Sequence, residues 1–355
     1  MSVSVIDELG EFDGLEKAWQ ALLPQCATNS LFLTWEWQRA WWETFGQGKE
    51  LRIVTVRDVQ GRLTAVAPLF LWHAEIDPRA AVPNISVENP LVVSGSVGKR
   101  VAHLIGGTEV SDYLDVLSSG QDNQMVWRQV LDALEAAEWE VLDLNCIPAA
   151  SPTLVSVPAI AQEKGWKVHL SKEDVCPQVE LPSTWDEYLA VRLDKKQRHE
   201  LRRKMRRAEE EVKVAWRWVD AAGFAAGLET FFRLHKASHP EKEAFMDKRM
   251  QGFFRSAAAA ALERDWLRLA LLEYNGEPVA SYLCFDYGGD RLVYNSGFDL
   301  HRYGSLTPGI VLLGYLLRDA IEAGRKKIDF LQGNERYKYD MGARDTDVMR
   351  LIVQR

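Results

Sequence analysis

Tyr294, Asp299, Asp329 and Lys338 are the side chains whose types and positions best suit proton transfer. Tyr294 lies in RLVYNSGF (291–298), a β-like run, where its phenol can serve as an acid or pack as a strand aromatic. Asp299 follows that run directly, a place for a base and equally for an ordinary turn residue. Asp329 stands inside the apolar run KKIDFL, where a carboxylate needs a partner. Lys338 fits that need, and can instead steady a developing oxyanion. Tyr337, beside it, suits a cleft wall or a surface loop.

Several other chemistries are excluded. There is no GxSxG elbow and no Cys/His nucleophile signature, and SGSVGKR lacks both the spacing and the final Ser/Thr of a Walker A loop. His235 and His239 are four apart in LHKASHP, but no HExxH accompanies them and no third ligand suggests itself, so no metal is expected. Cys26, Cys146, Cys176 and Cys284 have no CxxC spacing and read as reduced, buried thiols.

The elements that must position these residues come from a chain of 355 residues, more than one core usually organises. With 47% hydrophobic and 26% charged residues it reads as a globular protein. The acidic start lacks a signal-peptide pattern, so a cytoplasmic location is expected, with the inner membrane surface as a peripheral option. In TWEWQRAWWETF (34–45), Thr34 can cap a helix that places Trp37, Ala40, Trp41 and Phe45 on one face. A hairpin follows from LRIVTV (51–56) and LTAVAPLFLW (63–72), then a polar, Gly-rich stretch around SGSVGKR and LIGGTE. A boundary near residue 175 divides the chain into 1–175 and 176–355. Beyond it come a charged helix at about 194–211 and the β-like VKVAWRWV. LRLALLEY, PVASYLCFDY and RLVYNSGF then form a meander with turns at NGE and GGD. Pro308 and Gly309 start a helix that Gly324 ends. One pattern occurs twice: DALEAAEWEVLDL from Asp132 and DAIEAGRKKIDFL from Asp319 each run from helix into a strand, carrying Asp143 or Asp329. Two copies of one fold, or two similar amphipathic helices, explain it.

LFLTWEWQRAWWETF, GRLTAVAPL, GEPVASYLCFDYGGDRLVYNSGFD, SLTPGIVLL and IDFLQGNERYKYDMG together resemble a GNAT-superfamily branch. It is the branch of the cellulose-biosynthesis-associated acetyltransferase domain, related to the Fem peptidyltransferases. Asp329, Gly333, Tyr337 and Lys338 match its most specific segment. The resemblance implies a mixed α/β (α+β) fold of two acetyltransferase-like domains side by side, with the donor site in the second. It implies an N-acyltransferase using acetyl-CoA or an acyl-tRNA-type donor and an amine acceptor on a sugar or peptide envelope precursor. Direct transfer of that kind needs no acyl-enzyme. The donor would meet Ser296 and the corner Arg302, Tyr303, Gly304, Ser305, Pro308 and Gly309, where a splayed strand and a helix N-terminus offer backbone groups. That corner departs in spacing from the superfamily's Arg/Gln-x-x-Gly-x-Gly/Ala loop. A noncatalytic binding module on the same fold is therefore a further reading. In the first half, Trp35, Glu36, Tyr113 and Asp115 are candidates for an acceptor wall at the domain interface; for Trp35 and Glu36, packing is the plainer role.

KKQRHELRRKMRRAEEE departs from the overall charge of −8. Eight Lys/Arg between Lys195 and Arg207 make either a solvated helix face or a site for an anionic partner. Candidate partners are tRNA, a lipid phosphate, an anionic membrane surface and a nucleotide.

Overall fold

The computed structural model describes residues 2–73, 98–107, 109–120 and 122–355; most of SGSVGKR and one residue of LIGGTE lie outside them. The strands are β1 (Ser2–Ile6), β2 (Glu50–Arg57), β3 (Leu63–His73), β4 (Arg100–Leu104), β5 (Leu117–Ser118), β6 (Val141–Pro148) and β7 (Lys167–Val175). They continue as β8 (Gln178–Glu180), β9 (Val214–Trp218), β10 (Leu267–Tyr274), β11 (Glu277–Tyr287), β12 (Asp290–Phe298), β13 (Lys327–Asp329) and β14 (Asp347–Gln354). The helices begin with α1 (Leu9–Gly14), α2 (Glu16–Leu22), α3 (Trp35–Phe45), α4 (Asn123–Leu134), α5 (Thr153–Glu163), α6 (Trp185–Val191) and α7 (Lys195–Glu211). The remainder are α8 (Phe224–Ser238), α9 (Pro240–Phe245), α10 (Lys248–Glu263), α11 (Leu300–Tyr303), α12 (Pro308–Glu322) and α13 (Arg336–Asp340).

The chain forms two compact units: residues up to 174 with Thr346–Arg355, and essentially Val175–Asp345. In the first, the sheet runs β1-β2-β3-β4-β6-β14-β7, with β5 paired to β3. The last strand of the chain thus lies between two strands formed some two hundred residues earlier. Thr34 Oγ1 accepts the Trp37 N–H at 3.3 Å and starts α3, whose Trp37, Ala40, Trp41 and Phe45 are buried as their spacing requires. β4 and β6 run parallel, with His103 opposite Asp143.

In the second unit the order is β8-β13-β12-β11-β10-β9. Asn275 (φ +53°) and Gly276 (φ +83°) make the two-residue turn between β10 and β11. That backbone twist matches the twist of the strands it joins. Gly288 and Gly289 do the same between β11 and β12. β12 and β13 are parallel and β13 is antiparallel to β8. In both sheets four antiparallel strands lead to a parallel neighbour and then an antiparallel one. The two copies of the sequence pattern fall on matching places: α4 feeds β6 and α12 feeds β13, and Asp143 and Asp329 each sit in the parallel pairing. A reciprocal capping box between Asp194 and Gln197 starts α7. Leu201 and Ala208 of α7 join Leu312, Leu316 and Ala320 of α12 in the core against Tyr274, Tyr282, Cys284 and Val293. Among the described residues no helix is long and apolar enough to cross a membrane.

Candidate functional site

The parallel pairing of β12 with β13 is two residues long: Arg291 opposite Ile328 and Leu292 opposite Asp329. Among the described residues β12 continues from Val293 onward against β11 alone, so its other edge has backbone groups to offer. Tyr294 is the extra residue of a bulge, since Leu283 faces Asn295 while Cys284 faces Val293. Its half-buried ring packs edge-on against Phe254 and Phe285, at 5.7 and 5.9 Å between centroids.

Beyond the bulge, Ser296 gathers polar groups from three elements. Its carbonyl accepts from His235 Nδ1 of α8 at 3.0 Å and from Lys242 Nζ of α9 at 2.7 Å. Its N–H donates to Asn295 Oδ1 at 2.9 Å, and Tyr282 is the residue opposite on β11. Gly297 makes the crossing of α8 possible, since a Cβ there would lie 2.2 Å from the His235 nitrogen. Burial, with the Lys242 charge, drives the His235 imidazole down to about 3, so this ring is neutral. Burial lowers Lys242 to about 8, against the opposing pull of the Glu335 carboxylate. Tyr337 closes in from α13, its ring edge-on to Phe330 at 6.2 Å, and burial raises its phenol well above the ordinary range.

The expected donor corner is tied down at several points. Arg302 is ion-paired with Glu277 and its guanidinium lies 5.5 Å from the Tyr303 ring centre. Tyr303 packs edge-on to Tyr274, and Ser305 offers its carbonyl to Arg207 of α7 at 3.4 Å. Gly304 begins the short turn that reaches Thr307, whose φ of +47° redirects the chain into α12. The Thr307 carbonyl takes the Ile310 and Val311 N–H groups, and its hydroxyl is buried without a partner among the described residues. Pro308 stands at the helix start, and at Gly309 a Cβ would meet the Phe298 ring at 2.9 Å, so α12 begins close against the end of β12. An open strand edge, an adjacent helix N-terminus and an unpartnered hydroxyl suit a donor with amides and phosphates.

Asp299 caps α11, its Oδ1 accepting the N–H groups of His301 and Arg302 at 3.0 and 3.1 Å, the turn role that the sequence offered beside that of a base. One chemical expectation is corrected. Lys338 does not pair with Asp329. Its ammonium is held by the carbonyls of Leu331, Gln332 and Gly333 at 3.1, 2.6 and 3.0 Å and by Glu335 at 2.9 Å, which leaves no donor for an oxyanion. Asp329 instead accepts from Gln178 Nε2 at 2.7 Å and the Leu331 N–H at 2.8 Å.

The first-half candidates make these contacts within their own unit. Asp115, 2% exposed, accepts from Thr28, Ser151, Thr153 and the Val116 N–H at 2.5–2.8 Å, which corrects its assignment to an acceptor wall. Tyr113 stacks obliquely near Phe32 while its carbonyl accepts from Ser30. The Trp35 indole donates to the Phe12 carbonyl at 3.2 Å and Glu36 accepts from Gln20 at 2.9 Å. Both are packing contacts of α3. Sequence reasoning missed Lys242 and His235 as partners of the Ser296 carbonyl, because HPEKEAF reads as an exposed turn of helix.

Residues 195–339 match the acetyltransferase (GNAT) domain family. No curated protein sequence matches the chain. Among solved structures, FemX is similar at 12% identity over 99% of this chain and 97% of its own, with a TM-score of 0.64. A conserved protein of unknown function from Bacteroides thetaiotaomicron is similar at 10% identity over the whole of both chains, TM-score 0.59. L-PGS from Bacillus licheniformis is similar at 12% identity over 96% of this chain and 91% of that one, TM-score 0.55. At such identities the likeness is one of fold. Residues 195–339 of the second unit thus resemble a GNAT acetyltransferase domain, in a chain whose mixed α/β fold is like that of FemX.

Proposed function

We propose that this chain is an N-acyltransferase that moves an acetyl group from acetyl-CoA to an amine on a sugar or peptide of an envelope precursor, in the cellulose-biosynthesis-associated branch. The observation that carries this reading is the end of the β12–β13 pairing at Leu292 and Asp329, with α12 starting at the far end of the exposed edge. The β12 edge beyond the bulge would take the donor's amides and the start of α12 its phosphates. Tyr294, half-buried at the bulge just beyond the end of the pairing, is the candidate to protonate a leaving sulfur, its ring held between Phe254 and Phe285. Incubating the protein with acetyl-CoA and a panel of amino sugars and lysine-containing peptides tests the reading. Acceptor-dependent release of free thiol together with a product heavier by one acetyl group is expected; thiol release that no acceptor accelerates contradicts it.

A second reading, an aminoacyl-tRNA-dependent transferase, rests on α7. Its eight Lys/Arg lie largely on exposed or half-exposed surface, and Arg203, Arg206 and Arg207 pair with Glu200, Glu210 and Glu211 of the same helix. Such surface pairs contribute little and yield readily to a phosphate backbone. Replacing Arg202, Arg203, Arg206 and Arg207 by Gln would then weaken tRNA binding and flatten its salt dependence, and unchanged binding would remove this reading.

A further inference from the structure

Arg207 brings a positive charge to the corner where α12 begins. Leu201, Met205 and Ala208 seat α7 on α12, so closely that a Cβ at Gly314 would meet the Met205 sulfur at 2.7 Å. The Tyr315 hydroxyl of α12 donates to Glu209 at 2.6 Å and pins the same stretch of α7. That seat brings Arg207 Nη1 within 3.4 Å of the Ser305 carbonyl, in the turn that leads to Pro308. Arg207 Nε donates to Glu211 at 2.6 Å, whereas Nη2 meets no hydrogen-bond partner among the described residues. Both side chains of this ion pair are close to half exposed, at 43% and 48%, so Arg207 is reachable from solvent and free to take a second anion.

The start of α12 is itself short of donors for a pyrophosphate. A helix start ordinarily leaves four N–H groups open. Here Pro308 has none, and the Thr307 carbonyl takes those of Ile310 and Val311 at 3.0 and 3.1 Å. Of these four positions only Gly309 keeps an open N–H among the described residues. The Thr307 hydroxyl adds one neutral donor. Two negative charges need more than that, and the guanidinium beside Ser305 is placed to answer them.

We propose that Arg207 binds the pyrophosphate of a coenzyme A donor, adding the forked N–H pair that the start of α12 lacks. This rests on the acetyl-CoA reading of the second unit. Nη1 and Nη2 turn from Ser305 and from solvent onto the phosphate oxygens, while Nε keeps Glu211. The contact makes the protein select donors that carry the pyrophosphate over those that carry the pantetheine arm alone. It also gives the basic helix a task at the donor that needs no RNA.

The test is a set of calorimetric dissociation constants for CoA, dephospho-CoA and pantetheine, measured on the wild-type chain, Arg207→Gln and Arg207→Lys. Dephospho-CoA keeps the pyrophosphate and lacks the 3′-phosphate; pantetheine lacks both. Arg207→Gln should bind CoA and dephospho-CoA roughly 10- to 100-fold more weakly than wild type and leave pantetheine binding unchanged. Arg207→Lys, which keeps the charge without the fork, should recover part of the loss. A Gln variant that binds CoA as tightly as wild type overturns the assignment while the donor reading stands. An equal loss for pantetheine also overturns it, because Arg207 would then act only through the fold. A loss confined to CoA overturns it too, by moving the contact to the 3′-phosphate. A wild type that binds none of the three ligands overturns the acetyl-CoA reading and this assignment together.

Discussion

Arg350, on the last strand, forks onto Asp143 in the middle of β6, its Nε and Nη2 donating to the two carboxylate oxygens at 2.8 and 2.6 Å. The two residues are 207 positions apart and about 5% and 2% exposed. His103 stands 3.9 Å from the same carboxylate, and burial lowers its pKa, so Arg350 is the charge that answers Asp143. Arg350→Met should destabilise the protein by about 3–5 kcal/mol, because it leaves a buried carboxylate alone. Pairing it with Asp143→Leu should recover most of that loss in urea unfolding. A double variant no better than the single one would show that the pair contributes nothing through its charge.

Glu173 borders this pair and sets a pH dependence. Burial raises its carboxyl to about 7, opposed by a hydrogen bond from the Cys146 N–H at 2.6 Å and by the Arg350 charge. A carboxyl with a higher pKa folded than unfolded binds more protons in the folded state, so its contribution is full in acid and declines as pH rises from about 4.5 to about 7. Wild-type stability should carry a decline on the order of 2–3 kcal/mol across that window, and Glu173→Gln should lack it. Parallel stability–pH curves for the two proteins would contradict this.

Two glycines make opposite predictions. A Cβ at Gly297 would lie 2.2 Å from the backbone of His235, and neither backbone can yield easily. Gly297→Ala should cost more than about 2 kcal/mol and separate α8 from β12. Gly252, inside α10, has nothing within 4 Å of its Cβ position, so Gly252→Ala should stabilise by about 0.5–1 kcal/mol. Urea midpoints measure both, and the two shifts should have opposite signs.

Lys338 holds together the loop between β13 and α13. Lys338→Met takes the donor from two buried carbonyls and a half-buried one and should lower stability by about 2–4 kcal/mol. It should leave the pH profile of any transfer activity unmoved. A shifted profile would return Lys338 to the chemistry.

The parts of the fold that depend on local pattern were legible in the sequence. Asn275-Gly276 and Gly288-Gly289 announced the meander, Pro308 the start of α12, and the doubled pattern ending in Asp143 and Asp329 the matched strands. The return of β14 to the first sheet was not legible, because its pairing with β6 is made across 200 residues and alternation in β14 does not say which edge it joins. At the site, residue types suggested proton transfer but could not show which side chains are already engaged. Lys338 is spent on backbone carbonyls of its own loop, which only three-dimensional contacts reveal. Lys242 was hidden for the reverse reason: a charged residue in a short polar helix reads as solvated until the strand edge it covers is known.

The central claim is that the opened strand pair of the second unit binds an acyl-CoA donor. Thermal unfolding with acetyl-CoA, with free CoA and with neither tests it most directly. Ligand at about a hundred times its dissociation constant should stabilise the folded state by about 2.7 kcal/mol, a rise in Tm of roughly 5–11 °C for a unit of this size. A rise with both CoA species is the expected result; an unchanged Tm at saturating concentrations of both would contradict the claim.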